Sequence, residues 1–168
     1  MRFIILGAGG YGQTVADVAR QSGRYSEILF LDDHSPLAVG KCADYETWND
    51  GDTQMLPAFG NNEARLSWLD QLEMAHISVP TLIHATAYVS PEAKIAPGCV
   101  ILPKAVVNTG CEVKRGCIVN IGALIDHGTV LEEGVHAAPG AIVKAENRIP
   151  GCMKIEAGQV IENRTYPL

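Results

Sequence analysis

The sequence lacks the features that mark membrane, secreted and metal-binding proteins. Its 168 residues contain no apolar run near the roughly 18 residues of a membrane-spanning helix. The N-terminus has neither an h-region nor a small-residue cleavage site, which predicts a cytoplasmic protein. The five cysteines form no C-x-x-C pair and the histidines show no H-E-x-x-H spacing, so we expect neither disulfides nor a metal. Only 6% of the residues are aromatic, and a net charge of -6 without a basic stripe argues against nucleic acid as a partner.

The C-terminal half instead contains a six-residue repeat. Starting at Ile83, every sixth residue as far as Ile161 is apolar. Three positions after these anchors glycine recurs, which suits a corner with unusual backbone angles. The recurring glycines are Gly98, Gly110, Gly116, Gly122, Gly128, Gly134, Gly140 and Gly158. The next position holds small residues, including Cys99, Cys111 and Cys117, which we interpret as inward filler. The pattern predicts a parallel β-helix whose anchors form one continuous core.

The residues before about 79 follow a different pattern. Residues 3–6 and 28–31 are predicted strands on either side of an amphipathic helix over 13–21, which makes one βαβ unit. A third strand is expected around 55–59, then a helix over 62–74 capped by Asn61 or Asn62. Residues 44–51 are expected to form a surface loop. We therefore predict a Rossmann-like α/β domain over residues 1–78 and a β-helix over 79–168.

A glycine-rich loop joins the first strand to the first helix. Gly7, Gly9 and Gly12 match G-x-G-x-x-G, with acidic residues about 20 positions further on. Backbone N–H groups at a helix N-terminus and the absence of Cβ atoms let a diphosphate approach closely. Because about 80 residues are too few for a dinucleotide domain of roughly 150, a sugar mononucleotide is favoured over NAD. A tight strand-to-helix turn without a ligand is the alternative.

Two histidines in the repeat are candidates for chemistry. His127 lies beside a hexad corner, where a side chain can leave the core and face a groove. Imidazole can accept a proton near neutral pH. His136 follows on the last position of its hexad. For both residues an exposed surface histidine is the alternative interpretation.

Together these motifs resemble the sialic acid O-acetyltransferase family of hexapeptide-repeat acyltransferases, which includes N-acetyltransferases acting on UDP-4-amino sugars. The resemblance rests on Arg65, Asp126, His127 and the segments GAGGYG at 7–12, FLDD at 30–33, FGNNE at 59–63, LIHA at 82–85, VNIG at 119–122 and HAAPGA at 136–141. It implies a left-handed β-helix with three hexads per coil, so that residues eighteen apart stack. It also implies a homotrimer with active sites between neighbouring β-helices, a sugar nucleotide on the N-terminal domain and acetyl-CoA along the coils.

The resemblance further implies roles for single residues. His127 corresponds to the general base that takes a proton from the attacking amine or hydroxyl, and Asn120 to a groove residue near the acceptor. The residues implied to line the acetyl-CoA site are His136, Gly140 and Ala141. Those implied to hold the sugar nucleotide are Gly7, Gly9, Gly10, Tyr11 and Gly12 at the phosphates, with Asp32 and Asp33 at the uridine or its sugar.

The implied function is acetyl-CoA-dependent N-acetylation of a UDP-4-amino sugar in surface-glycan biosynthesis. Acetylation of a sialic acid hydroxyl is one alternative, and a non-catalytic sugar-nucleotide-binding trimer is another. Two departures from the family favour the last. Gly128 stands where members usually carry a carboxylate directly after the base histidine, and Asp126 precedes the histidine instead. The repeat is also shorter than usual after Pro139.

Overall fold

A computed structural model describes all 168 residues, which form two compact units, Met1–Pro80 and Thr81–Leu168. The division lies two residues beyond the boundary expected from the sequence, at 80 rather than 78. The elements of the first unit are β1 (Arg2–Leu6), α1 (Gly10–Ser22), β2 (Glu27–Leu31), a 3-10 helix (Cys42–Trp48), β3 (Thr53–Pro57) and α2 (Asn62–Met74). The strands form a parallel sheet in the order β2-β1-β3. None of the helices combines the length and the apolar character that crossing a bilayer requires.

Three details of this unit differ from the sequence-based expectation. The helix α1 begins at Gly10 because the glycine run itself forms the first turn. The strand β3 ends at Pro57, two residues earlier than predicted. The prediction of a loop over residues 44–51 is wrong for its first half, which belongs to the 3-10 helix. Its Trp48 packs against the apolar core of the unit, and this tertiary contact holds a turn that local polarity did not indicate.

The second unit is a parallel β-helix built from two-residue strands. We call its three sheets faces 1, 2 and 3. Face 1 contains β4 (Leu82–Ile83), β7 (Val100–Ile101), β10 (Ile118–Val119), β13 (His136–Ala137) and β16 (Lys154–Ile155). Face 2 contains β5 (Tyr88–Val89), β8 (Val106–Val107), β11 (Leu124–Ile125), β14 (Ile142–Val143) and β17 (Val160–Ile161). Face 3 contains β6 (Lys94–Ile95), β9 (Glu112–Val113), β12 (Val130–Leu131) and β15 (Arg148–Ile149).

The hexad period determines the stacking. Ile95 pairs with Val113, and Leu131 with Ile149, so residues eighteen apart lie above one another as expected. The anchors from Ile101 to Ile161 are buried in one continuous cluster. The first anchor, Ile83, is 45% exposed because no coil precedes it. The predicted β-helix core is therefore confirmed from the second coil onward.

Corner geometry explains the glycines and the cysteines. All the recurring glycines have positive φ, between 64° and 75°. The inward thiols of Cys99, Cys111 and Cys117 are buried, and each donates a hydrogen bond to a backbone carbonyl fifteen residues on, at 3.0 to 3.1 Å. These carbonyls belong to Lys114, Asp126 and Glu132, the residues that follow the strands. The cysteines thus fill the core and also satisfy carbonyls that the strand ladder leaves unpaired.

The outer surfaces of faces 2 and 3 differ in chemistry. The first residue of each strand points outward, since successive side chains alternate. On face 3 three of the four outward residues are charged, and the ion pairs Lys94–Glu112 and Arg148–Glu132 link neighbouring coils. On face 2 every outward residue is apolar or aromatic. This apolar column consists of Tyr88, Val106, Leu124, Ile142 and Val160.

Candidate active site

The glycine loop between β1 and α1 is shaped by two close approaches. Gly7 has a φ of 101°, a conformation that favours glycine. A Cβ atom on Gly12 would lie 2.0 Å from the carbonyl oxygen of Gly7, so α1 passes against the loop at a distance that only glycine permits. No side chain caps the N-terminus of α1, where Gly9 is the N-cap, and its first turn carries no acid. The loop therefore presents an uncapped helix N-terminus, the arrangement that binds phosphate groups in many proteins.

Asp32 has a role in the loop that its spacing did not reveal. One of its carboxylate oxygens accepts the backbone N–H of Ala8 at 2.8 Å, and the other accepts those of His34 and Ser35 at 2.9 Å. The hydrogen bond from Ala8, followed by that from His34, holds the pKa of Asp32 below its ordinary value. Asp33 is exposed and accepts one hydrogen bond, from the N–H of Cys42 at 3.1 Å. Asp32 thus organises the glycine loop, while Asp33 presents the more open carboxylate.

This geometry predicts a pH-dependent loss of stability in Asp32→Asn. An amide keeps one acceptor oxygen and turns its NH₂ toward a backbone N–H, so we expect a loss of about 2 kcal/mol in the free energy of unfolding at pH 7. Because the folded pKa of Asp32 is lowered, its contribution is present above the unfolded value near 3.9 and disappears as the pH falls through the folded value. The variant should therefore converge on the wild type in acid.

Urea unfolding between pH 2.5 and 7 measures this difference. The two tryptophans, Trp48 and Trp68, both lie in the first unit, so their fluorescence reports on it alone. Asp33→Asn is the matched control, because its amide oxygen can keep the single hydrogen bond to Cys42. A loss in Asp33→Asn equal to that in Asp32→Asn would contradict the assignment.

One wall of the glycine loop is formed by residues to which the sequence motifs assigned no role. A Cβ on Gly7 would lie 3.2 Å from the ring of Phe59, just after β3. The fully buried Arg65 holds this turn, donating to the carbonyl of Phe59 at 2.9 Å and to the Oδ1 of Asn62 at 2.8 Å. The sequence does contain an indication that Arg65 is buried. It lies on the same face of the helix as Leu69 and Leu72, where an apolar residue is expected.

His127 lies on the corner between faces 2 and 3. Its side chain is exposed, and its ring makes no hydrogen bond within the chain. The preceding Asp126 does not orient the ring: its Oδ1 accepts the backbone N–H of His127 at 2.7 Å and the side-chain amide of Asn108 at 3.1 Å. The hydrogen bond from His127 is the main reason that the pKa of Asp126 is lowered. An apolar groove lined by Leu124 and Ile142 runs along face 2 beside this corner.

Asn120 and His136 form a second polar pair on another side of the coil. The Oδ1 of Asn120 accepts the backbone N–H of Ile121 at 2.8 Å, which turns the NH₂ group toward His136. The Nδ2 of Asn120 lies 3.0 Å from the Nε2 of His136, so Nε2 accepts and the ring proton lies on Nδ1. His136 is half-buried at the start of β13 rather than exposed at a corner.

Within the β-helix the predicted residues therefore lie at two different corners. Asn120 stands at the corner between faces 1 and 2, and His127 at the corner between faces 2 and 3. Gly140 also lies at the corner between faces 1 and 2, one coil after Asn120, and has a φ of 67°. Ala141 points into the core with no exposed surface, so only its backbone can line a groove. Tyr11 lies half-buried in the first turn of α1. No cluster of three or more His, Cys, Asp or Glu side chains suits a metal ion.

Comparisons with known proteins bear on both units. Residues 2–72 match the family model described as the PglD N-terminal domain. The acetyltransferase domain of PglB from Neisseria gonorrhoeae FA1090 is 34% identical, with a TM-score of 0.93 over 97% of this chain and 83% of that one. The same domain in complex with acetyl coenzyme A gives a TM-score of 0.94 over 82% of its length. A variant of perosamine N-acetyltransferase from Caulobacter crescentus, in complex with CoA and GDP-perosamine, is 20% identical with a TM-score of 0.82, over 97% of this chain and 89% of that one. A comparison with curated protein sequences gives no significant match.

The chain combines a glycine loop of the kind that binds nucleotides with a left-handed β-helix built from six-residue repeats. These two features together define a hexapeptide-repeat acetyltransferase. Identity of 34% along nearly the whole chain goes further than the fold. The chain belongs to the sugar acetyltransferase family that contains the acetyltransferase domain of PglB. The resemblance stated from the sequence motifs is thereby confirmed.

Proposed function

We propose that this protein transfers the acetyl group of acetyl-CoA to the amino group of a UDP-4-amino sugar, with His127 as the general base. The observation that carries the proposal is the exposed imidazole of His127 beside the face 2 groove, in a chain that also has an uncapped glycine loop. The complex of the related PglB domain with acetyl coenzyme A supports the choice of acyl donor.

In this mechanism the protein contributes positioning and proton transfer. The glycine loop holds the nucleotide phosphates, and the side chain of Asp33 is placed to contact the nucleoside. Asn120 faces the acceptor, and His136 lines the acetyl-CoA site together with the backbone at Gly140 and Ala141. His127 takes the proton of the attacking amine and returns it to the leaving sulfur, so the amide bond forms as the thioester bond breaks. Base catalysis of this kind contributes roughly 10²- to 10⁴-fold in rate. A backbone N–H at the developing oxyanion adds about 10² to 10³.

The complete site requires a neighbouring chain. Face 2 lies between the corner of Asn120 and the corner of His127, and its outward column is apolar. Tyr88, Leu124 and Val160 in this column are 55%, 40% and 44% exposed. An apolar column of this kind marks an interaction surface, whereas the ion-paired face 3 is suited to water. We therefore assign face 2 to the interface of a homotrimer, in which His127 of one chain works with Asn120 and His136 of its neighbour.

The variant Leu124→Glu tests this arrangement. A charge on the apolar column should be tolerated by the single chain but not between chains, because a buried unpaired carboxylate is costly. We expect monomers at micromolar concentration in sedimentation velocity, an unchanged circular dichroism spectrum, and at least a tenfold loss of transfer. Lys94→Glu, at the same strand position on face 3, should remain trimeric. An active Leu124→Glu monomer would refute the shared site.

The activity itself is tested by incubating the protein with acetyl-CoA and a panel of acceptors while free thiol is measured. The panel contains UDP-4-amino sugars, the corresponding GDP-linked sugar, sialic acid and its CMP form. Thiol release with a UDP-4-amino sugar, and product carrying one added acetyl group by mass spectrometry, is the expected result. Release with sialic acid alone would replace the N-acetyltransferase by an O-acetyltransferase.

A second candidate function is a sugar-nucleotide-binding trimer without transferase activity. It is favoured by Gly128, which follows the histidine directly and carries no carboxylate to orient the ring. Ligands that bind the native state raise its heat stability. A stability shift with UDP-sugar but none with acetyl-CoA would favour this function over acetyl transfer.

A further inference from the structure

A histidine that works as a base is most effective when another group orients its ring. The charged side chains at or next to the corner of His127 are Asp126, Lys144, Glu146, Glu162 and Arg164. Lys144 is paired with Glu162 at 2.5 Å. Asp126 is occupied by the backbone N–H of His127 and by Asn108, so it holds the corner rather than the imidazole. Of the other two carboxylates, Glu162 lies two coils from this corner and Glu146 only one, so Glu146 is the nearer to His127.

Glu146 occupies the corner position one coil after Gly128. Its backbone N–H donates to the carbonyl oxygen of His127 at 3.1 Å, which joins the two corners directly. A Cβ atom on Gly128 would lie 3.7 Å from the Cγ of Glu146, so the side chain of Glu146 passes over the position next to His127. The side chain that carries the carboxylate therefore lies in van der Waals contact with the place where a side chain on residue 128 would begin.

The surroundings of Glu146 leave it able to accept another hydrogen bond. Arg164, one further coil along, engages Oε2 of Glu146 through both Nε, at 2.6 Å, and Nη2. This pair anchors the carboxylate through Oε2, while Oε1 accepts no hydrogen bond within the chain. Ala145 follows His127 by eighteen residues, so the residue at the equivalent position of the next coil carries only a methyl group.

We propose that Glu146 is the positioning residue for His127: the exposed ring, which makes no hydrogen bond in the conformation described above, turns so that one ring N–H donates to Oε1 and the other nitrogen faces the acceptor amine. The carboxylate thus comes from the neighbouring coil instead of from the residue after the histidine. This proposal rests on the proposed function of His127 as the base. Glu146 transfers no proton to the substrate and touches neither substrate.

The variant Glu146→Gln tests the proposal by kinetics and by NMR. We expect kcat to fall about tenfold or more, as part of the gain from base catalysis is lost, with KM for both substrates within twofold of the wild type. Nitrogen-15 NMR of the His127 imidazole should show one dominant tautomer in the wild type and a mixture of two in the variant. Glu92→Gln is the matched control. Glu92 lies at the same corner as Gly128 but two coils earlier, so it is farther from His127 than Glu146 is. It should change neither measurement.

A rescue experiment separates positioning from folding. The corner position accepts side chains at Lys104, Glu146, Cys152 and Arg164, with φ between 56° and 60°, so aspartate can be introduced at Gly128. Adding Gly128→Asp to Glu146→Gln returns a carboxylate to the corner and should restore kcat to within about threefold of the wild type, a smaller deficit than the tenfold loss. A folded double variant that stays as slow as Glu146→Gln would overturn the proposal.

The outcomes for Glu146 and for His127 can be distinguished. Wild-type kcat and a single tautomer in Glu146→Gln would overturn the role of Glu146, while an inactive His127→Ala would still support the base. If the wild type transferred no acetyl group to any acceptor in the panel, the proposed function would be refuted. In that case a change of tautomer in Glu146→Gln would still establish the contact between the two residues, and an unchanged tautomer would overturn it.

Discussion

Replacing His127 by alanine is expected to lower kcat for acetyl transfer by roughly 10²- to 10⁴-fold, the usual contribution of a general base. The imidazole is exposed at the corner of the β-helix and makes no hydrogen bond through its ring within the chain, so its removal should leave the fold intact. Acetyl-CoA should still raise the heat stability of the variant, since the groove that would hold it is built from other residues.

The measurement is thiol release at saturating acetyl-CoA and a UDP-4-amino sugar. His76→Asn is the matched control: His76 is exposed in the first unit, and asparagine tolerates its φ of 55°. We expect it to keep the wild-type rate. Full activity in His127→Ala would remove the base from the mechanism, whatever acceptor the enzyme uses.

Replacing Gly12 by alanine is expected to lower the free energy of unfolding of the first unit by at least about 3 kcal/mol, the upper range for overpacking. The added Cβ would lie 2.0 Å from the carbonyl oxygen of Gly7 and 2.9 Å from its carbonyl carbon. Backbone atoms of a loop that is anchored by Asp32 cannot move aside as a flexible side chain would. The variant should also lose its heat-stability shift with UDP-sugar, because the loop that meets the phosphates is displaced.

Gly10→Ala serves as the control for this effect. A Cβ on Gly10 meets no atom within 4 Å, and Gly10 already lies in the first turn of α1. Alanine is favoured over glycine in helices by about 1 kcal/mol, so the control should be as stable as the wild type or slightly more so. Tryptophan fluorescence during urea unfolding follows the first unit in both variants. Equal stability of Gly12→Ala and Gly10→Ala would mean that α1 does not approach Gly7 this closely.

Several features of the fold followed from local pattern alone. The six-residue period predicted which side chains form the core, because a repeat can bury its apolar residues only by stacking. Glycine at the corners predicted left-handed backbone, and Lys104 shows that the position keeps this conformation even without glycine. The helix over residues 62–74 was predicted for the same local reason, with Asn61 or Asn62 as its cap, and the structure identifies Asn61 as the N-cap.

Other features depend on contacts between distant parts of the chain. Asp32 is predicted to meet a nucleoside, and the structure adds a contact that the spacing did not indicate: its carboxylate accepts the backbone N–H of Ala8, 24 residues away. The turn of the 3-10 helix depends on the packing of Trp48 in the core. The amide of Asn120 is oriented toward His136 by its bond to the N–H of Ile121. Such bonds are set by side-chain rotamers and by approaches in space, which spacing along a chain does not specify.

The sequence by itself determined the architecture, because backbone angles and burial repeat with a period that the order of the residues reveals, and its motifs indicated the family. Only the tertiary structure decided that His127 and the Asn120–His136 pair lie on different corners, and that Glu146 passes over Gly128. A coil winds three hexads into one turn, so residues close in sequence separate onto different faces, while residues eighteen or nineteen apart become neighbours. The chemistry of the site depends on those neighbours.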